Sequence, residues 1–576
     1  MKKTGAWLVR FALEQIGVKY TFGIPGVHTT EIYDELEKSA LIQPVLVTHE
    51  GGGAFMADAI SRTSDQTGTL LIVPAAGVTH AASGIGEAFL DGIPMLVISG
   101  GIHTASGKTY QLHEMDQHTL LAPITKKTYK IDTHEQIIPA IYEAYQIANQ
   151  GEPGPVFVEV PVNLQLFPGE VSQIPEFIAE IVEQRLDHAA IQEAAQMLYA
   201  AGSPGLFLGW GAVDASEESI SIAEFLNAPV ATTLQGLSSF PADNPLHTGM
   251  SFGPAAVPAA ENAFKNCDCM LAVGTRFGEI GTASYGVNPP ANLIHIDINK
   301  KVFNANYPAA ITIEGDAKAV LKELFKCLHA LGKPKPDNDV LKTAISRDKA
   351  AYLDEWFRHD SNDRVNPARF FTELRKQLDS DAIVVADDGN HTFLAAELMP
   401  IYSPRGFISP TDFNCMGYCT PAVTAAKLVN PDKQVVGIIG DGAFLMTCME
   451  TLTASSMGLG GVYFVFSDGE LSQISQAQEI PYNRKTCTVL PQIKIKGIAD
   501  ATDCEFILIE DNTACAGGIK RALSIAAENR PVIVDVKIDY SKRTRFTKGI
   551  VKTNLERFSM GNKARFISRA LLRRVL

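Results

Sequence analysis

The sequence predicts an α/β protein built from three doubly wound parallel-sheet domains and a basic C-terminal tail. Three observations carry this. Short, continuous apolar runs alternate with helical stretches, as in strands buried on both faces. Proline-punctuated polar segments divide these runs into blocks. The unit around Gly440-Asp441-Gly442 reads as strand, helix and strand at the length of one right-handed crossover.

The first block, residues 1–170, offers strands at Thr21–Gly26, Pro44–Thr48, Thr69–Val73, Met95–Ser99 and Val156–Val160. A polar linker, Phe167 to Gln184, follows. The second block, residues 185–330, has strands at Gly205–Gly211, Cys269–Gly274 and Leu293–Ile298, and Lys333 to Asp339 reads as the next linker. The third block, residues 345–541, repeats the rhythm of the first, with strands at Ala382–Ala386, Gln434–Ile439 and Val462–Phe466 and a helix from Met446 to Met457.

With 576 residues and 46% hydrophobic content the chain can bury several cores. A net charge of −14 argues against broad nucleic-acid binding. Nine cysteines without paired Cys-x-x-Cys spacing point to reduced structural thiols and a cytoplasmic protein. The start runs directly into an amphipathic helix broken by Arg10 and Glu14, unlike a cleavable leader, and no stretch reaches membrane-spanning length without a charge or turn former. Residues 542–576 break the acidic trend: basic side chains run from Lys542 to Arg574 against one acid, Glu556. On the last helix Ile567, Leu571 and Val575 share one face, and Arg565, Arg569 and Arg573 another. A docked helix, an active-site lid and a peripheral membrane anchor all fit that pattern.

Two adjacent parallel strands would place Asp441 and Asp468 at the same carboxyl edge, where open α/β sheets bind ligands. Paired carboxylates there suit magnesium, and the flanking glycines admit phosphate oxygens close to backbone amides. A tight structural turn uses the same letters, so the second ligand after the next strand is what gives the motif weight. Glu50, in His49-Glu50-Gly51-Gly52-Gly53, opens a helix at another carboxyl edge; taken alone it is a dipole complement.

Phe22-Gly23-Ile24-Pro25-Gly26, His49-Glu50, Gly84-Ile85-Gly86-Glu87-Ala88, Gly92-Ile93-Pro94, Gly154-Pro155-Val156, Gly274-Thr275-Arg276-Phe277, Met416-Gly417 with Pro421-Ala422, and Gly440-Asp441-Gly442 occur in one order along nearly the whole chain. In this the chain resembles the thiamine diphosphate (ThDP) enzymes of the acetolactate synthase, pyruvate oxidase and 2-oxoacid decarboxylase superfamily, and most closely the acetolactate synthase large subunits. The resemblance implies a pyrimidine-binding, a central and a diphosphate-binding domain, with active sites shared between two subunits of a homodimer or tetramer.

By that resemblance Glu50 bonds the aminopyrimidine and promotes the tautomer that activates the thiazolium carbon. Asp441, Asp468 and Glu470 would hold Mg²⁺, with Gly440, Gly442, Ala443 and Leu471 around the diphosphate. Ser467-Asp468 stands where the family has Asn-Asn, which adds a charge beside the diphosphate. Met416 is the apolar wedge that bends the cofactor, Asn414 and Met416 bond its ring through the backbone, and Pro25, Asn390 and His391 complete the cofactor set. His113 replaces a Gln and is either a proton donor or a hydrogen-bonded structural histidine. Gln473 lies near the reacting centre, where decarboxylases carry a Glu, so carboligation of the enamine to a second carbonyl compound is favoured over aldehyde release. Ile24, Val27, His28, His80, Gln111, Ile474 and Ala477 are the substrate-pocket candidates, and Ala477 in place of Trp makes the pocket roomier. Gly209-Trp210-Gly211 is weak evidence for FAD, and Gly249 to Gly253 departs from the flavin-containing pattern, so FAD is not favoured. A non-oxidative decarboxylase and a flavin-dependent, membrane-associated oxidase are the alternatives.

Overall fold

The computed structural model describes residues 1–179 and 185–575; Gln184, the predicted end of the first linker, lies outside them. Each predicted block contains one six-stranded, all-parallel sheet flanked by helices. The N-terminal sheet runs, in space, Gln43–Leu46, Tyr20–Gly23, Gly68–Ile72, Met95–Gly101, Pro155–Pro161, Lys127–Lys130. In the central sheet the order is His247–Met250, Val230–Thr232, Pro204–Leu208, Cys269–Val273, Asn292–Asp297, Ile311–Glu314. The C-terminal sheet runs Phe407–Ile408, Ile383–Ala386, Val435–Gly440, Val462–Phe466, Val532–Val536, Glu505–Ile509.

In each six-stranded sheet the chain first fills one side and then crosses to the other, and such switch points open a crevice at the carboxyl edge. In the C-terminal sheet the switch falls between Ile383–Ala386 and Val435–Gly440, directly before Asp387 and Asp441. Gly440 pairs with Phe466, so Asp441 and Asp468 leave neighbouring strands at one edge, as expected.

Several boundaries differ from the sequence reading. The first strand stops at Gly23, because Pro25 has no N–H to continue a ladder. The helix expected from Met446 begins at Asp441, breaks after Thr447 and restarts as Glu450–Ser456. Part of the expected linker, Pro168–Glu170, pairs antiparallel with Lys2–Thr4.

The two outer domains share one core. Helix Glu50–Thr63 packs against Cys419–Val429, and their Ala54, Ala57, Ala422 and Ala426 belong to one buried cluster with Phe22, Tyr418 and Tyr463. Inside this contact Arg62 is fully buried, paired with Asp58 at 2.6 Å and Asp91 at 2.9 Å, and Tyr418 donates its hydroxyl to Asp58. Removing one member of so buried a set would strand a charge, which makes the joint specific as well as apolar.

The basic tail forms two helices. Arg545–Arg557 docks by Phe546, whose ring lies 5.0 Å from that of Phe393, and by Arg545 paired with Glu261 at 2.5 Å. Met560–Val575 lies along helix Ser472–Tyr482, with the Arg569 and Arg573 guanidinium carbons 5.7 and 5.1 Å from the Tyr482 ring centre. Arg569 and Arg573 of the arginine stripe therefore meet the body, while Leu571 is exposed; the side chains of Ile567 and Val575 lie outside the described residues. Among the described residues no helix is long and apolar enough to cross a membrane. All nine cysteines are free.

Candidate active site

Asp441 is the first residue of its helix and is buried. One carboxylate oxygen accepts the Gly442 N–H at 2.8 Å; the other accepts the Gly469 N–H at 2.8 Å and so bridges the two strand ends. Burial, helped by neighbouring Asp468, pushes its carboxyl up to about 6. Asp468 is pushed up by burial as well, although it accepts the Ser472 hydroxyl and, at 3.3 Å, the Glu470 N–H. Two adjacent acids whose charge is disfavoured by desolvation form a site that a cation would stabilise. Glu470 differs. Burial raises its carboxyl, but Lys485 at 2.6 Å and Ser475 at 2.5 Å outweigh it and hold the group below its usual range. Its side chain is thus committed to Lys485. Asp441, Asp468 and Glu470 do not form a three-carboxylate cage; among the described residues only His49, Glu50 and His80 bring three such ligand atoms within 4.8 Å of one another.

The cleft beside these acids is lined by Asn390, His391, Met416, Gly440, Asp441, Gly442, Ala443, Asp468, Glu470, Leu471, Gln473 and Ile474. A Cβ on Gly442 would fall 2.3 Å from Leu471 Cδ2, so the absent side chain lets the motif close against this residue. Three buried polar atoms around the cleft have no partner: His391 Nε2, Gln473 Oε1 and the Tyr540 hydroxyl. Burial holds His391 down at about 3, so its ring is neutral. An acidic rim, a glycine cradle and unsatisfied donors and acceptors fit a metal-bound diphosphate carrying a polar heterocycle. Asn414 stands beside the cleft, bonded to Asp388, with Met416 half-buried at its wall. Ala477 is exposed one turn farther along its helix and does not line the cleft.

None of the N-terminal candidates lines it either: Ile24, Pro25, Val27, His28, Glu50, His80, Gln111 and His113 belong to the other outer domain. There Glu50 is buried at a helix start, capped by His49, whose Nδ1 accepts the Gly51 N–H at 3.0 Å. Its carboxylate lies 3.0 Å from His80 Nδ1, and the His49 and His80 rings stack at 4.6 Å. His28 and His113 form a second pair, 5.0 Å between rings, with both Nδ1 atoms buried and unpartnered. Burial and the neighbouring His113 lower His28 below its usual value. Gln111 turns back into its own loop, donating to the His103 and Lys108 carbonyls.

In the central domain Gly209 and Gly211, the glycines of the suspected cofactor turn, both pack on Gly274. Gly211 donates to the Gly274 carbonyl at 3.1 Å, and a Cβ on Gly209 would lie 2.1 Å from that same oxygen. They hold two strand ends together beside an interdomain cavity of about 370 Å³ that Trp210, Arg276 and Asp297 help line.

Two acids beside the cleft escaped the sequence reading. Asp387, fully buried, accepts the amides of Gly417 and Cys419 and so shapes the Met416 loop; Asp388 bonds Asn414. Burial pushes them up to about 7 and about 6. The signal was present as Asp387-Asp388-Gly389 directly after an apolar strand.

Three family descriptions match the chain: thiamine pyrophosphate enzyme N-terminal TPP binding domain over residues 2–120, central domain over 191–324, and C-terminal TPP binding domain over 387–536. An acetolactate synthase large subunit from Haemophilus influenzae is 31% identical across 94% of this chain and 96% of its own length. A probable acetolactate synthase large subunit from Methanocaldococcus jannaschii is 32% identical, over 84% of this chain and 83% of the relative. A probable 2-ketoarginine decarboxylase from Pseudomonas aeruginosa is 33% identical, over 78% and 79%. The chain belongs to the thiamine pyrophosphate enzyme family and is a ThDP-dependent enzyme of the carboligase and decarboxylase class.

Proposed function

We propose that this enzyme decarboxylates a 2-oxoacid and joins the remaining fragment to a second carbonyl compound, in a site completed by a second copy of the chain. The observation that carries the proposal is the separation of parts: the acidic, glycine-lined cleft lies wholly in the C-terminal domain, and Glu50 lies outside it. Asp441 and Asp468 would hold a divalent cation, with Glu470 contributing from its backbone because its carboxylate is paired to Lys485. Bound ThDP supplies a nucleophilic carbon and an electron sink for the pair left by departing carbon dioxide.

The chain's own residues do the rest. Glu50 of the partner subunit exchanges a proton with the heterocycle, Met416 walls the cleft and restricts the cofactor's shape, and Gln473 offers an unpartnered amide oxygen toward the reacting centre. Exposed apolar side chains on both domains support a pairing surface: Val27, Leu112 and Met115 on one, Leu445, Met446 and Met449 on the other. Glu50→Gln should abolish turnover while leaving Mg²⁺-dependent ThDP binding nearly intact; full turnover in that variant would refute the assignment.

Aldehyde release is the second reading. It is favoured by the His28 and His113 pair, whose free Nδ1 atoms could supply a proton, and by the similarity to a probable 2-ketoarginine decarboxylase. Product analysis with pyruvate or longer oxoacids, with and without added aldehyde, separates the two. A carboligated product supports the first, and free aldehyde alone supports the second.

A further inference from the structure

Glu450 opens the helix that follows the Gly-Asp-Gly segment, separated from helix Asp441–Thr447 by Cys448 and Met449. Its side chain crosses to the other outer domain of the same chain. Oε1 accepts the Thr48 N–H at 3.1 Å, the Thr48 hydroxyl at 2.7 Å and the His49 N–H at 3.1 Å; Oε2 accepts the Thr453 hydroxyl at 2.8 Å. The residue is 1% exposed. A Cβ on Gly52 would lie 2.4 Å from Oε1, so the first turn of helix Glu50–Thr63 rests directly on this carboxylate. Thr48 and His49 are the two residues immediately before Glu50. A buried carboxylate accepting several donors at a helix N-terminus fixes the backbone there in both position and direction.

We propose that Glu450 is a positioning residue for Glu50: it fixes the Thr48-His49 segment so that the Glu50 carboxyl is presented in register to the cofactor held by the partner. The proposal rests on the shared-site reading above. It also means that each chain's diphosphate-binding segment is mechanically joined to the acid that serves the opposite site.

Glu450→Gln keeps the volume but removes the charge and turns an amide donor toward groups that themselves donate. Amide hydrogen exchange at Thr48 and His49 should rise by about tenfold or more, and kcat should fall by about tenfold with KM for the oxoacid changed by less than about twofold. Mixed dimers localise the effect. A dimer of one Glu50→Gln chain and one Asp441→Ala chain keeps one complete site, using Asp441 of the former and Glu50 of the latter. Adding Glu450→Gln to the Asp441→Ala chain should cost about tenfold in turnover, and adding it to the Glu50→Gln chain less than about twofold. Equal losses from both placements, or none from either, would overturn the proposal. So would unchanged exchange at Thr48 and His49, however the sites are assembled. A mixed dimer with no turnover at all refutes the shared site instead, and the exchange measurement then decides alone. If Glu450→Gln does not fold, Thr48→Val removes one of the three donors from the other side and should lower kcat about threefold, again without moving KM; an unchanged kcat in Thr48→Val would overturn the proposal.

Discussion

Asp387 accepts the Gly417 N–H at 2.9 Å, tying the end of one strand to the loop that carries Met416. Its other oxygen takes the Cys419 N–H at 2.8 Å, across a turn in which Gly417 has a φ of +86°, a conformation glycine adopts without strain. An amide in place of the carboxylate would set an N–H against an N–H. Asp387→Asn should lose about 1–3 kcal/mol of stability and at least tenfold in ThDP affinity. Thermal unfolding and calorimetric titration check these.

Asp387 and Glu397 give the apoprotein a pH-dependent stability. Burial pushes both carboxyls up to about 7, against roughly 4 in an unfolded chain. The folded state thus keeps protons that the unfolded state releases, so stability is full below about pH 4 and falls as pH rises to about 7. Each group costs on the order of a few kcal/mol across that window. Between pH 5 and 8 the melting temperature of Asp387→Asn should therefore lose less, relative to its own value at pH 5, than that of the wild type.

Asp468 sets a second carboxylate beside Asp441 in the cleft proposed to hold the diphosphate. Asp468→Asn keeps an oxygen donor and removes that charge, so ThDP should bind about threefold to tenfold more tightly while the magnesium concentration for half-activation rises. Titration of each component with the other saturating measures both. Weaker ThDP binding in the variant would show that the metal, not the phosphate repulsion, dominates here.

Deleting residues 561–576 removes Arg569 and Arg573 from the Tyr482 ring. Hydrogen exchange in Ser472–Tyr482 should accelerate and the steady-state constants should change, because that helix carries Gln473 and Ile474 into the cleft. The mass of the particle in solution should fall only by that of the deleted segments, with no change in the number of subunits. Tyr482→Ala should reproduce part of the kinetic effect.

Gly209→Ala would drive a methyl group to 2.1 Å from the Gly274 carbonyl oxygen, a backbone atom that cannot turn away. A loss of about 1–3 kcal/mol is expected, read by denaturant unfolding.

Asp441 and Asp468 were legible in the sequence because both follow long apolar strands, where periodicity and a glycine motif coincide. Short strands such as Val230–Thr232 and Phe407–Ile408 were not, having too few residues to show any period. The break at Cys448 and Met449 was hidden for a similar reason, since helix-compatible residues run through it. Asp387, Glu450 and the Lys485 partner of Glu470 act through contacts between separate elements, which no local periodicity records. The terminal helix was foreseen as docked among other readings, but its arginines, rather than its leucines, meet the body.

The burial of helix Glu50–Thr63 against Cys419–Val429 has a consequence for biosynthesis. The first helix leaves the ribosome long before the second exists, and at about 5–20 residues per second the intervening chain takes on the order of tens of seconds to appear. Throughout that interval an alanine-rich surface and the Arg62 guanidinium await their cover. Chaperone dependence of the nascent enzyme should therefore outlast completion of the first domain and end only after the C-terminal sheet that carries Cys419–Val429, closed by Val532–Val536, has been made.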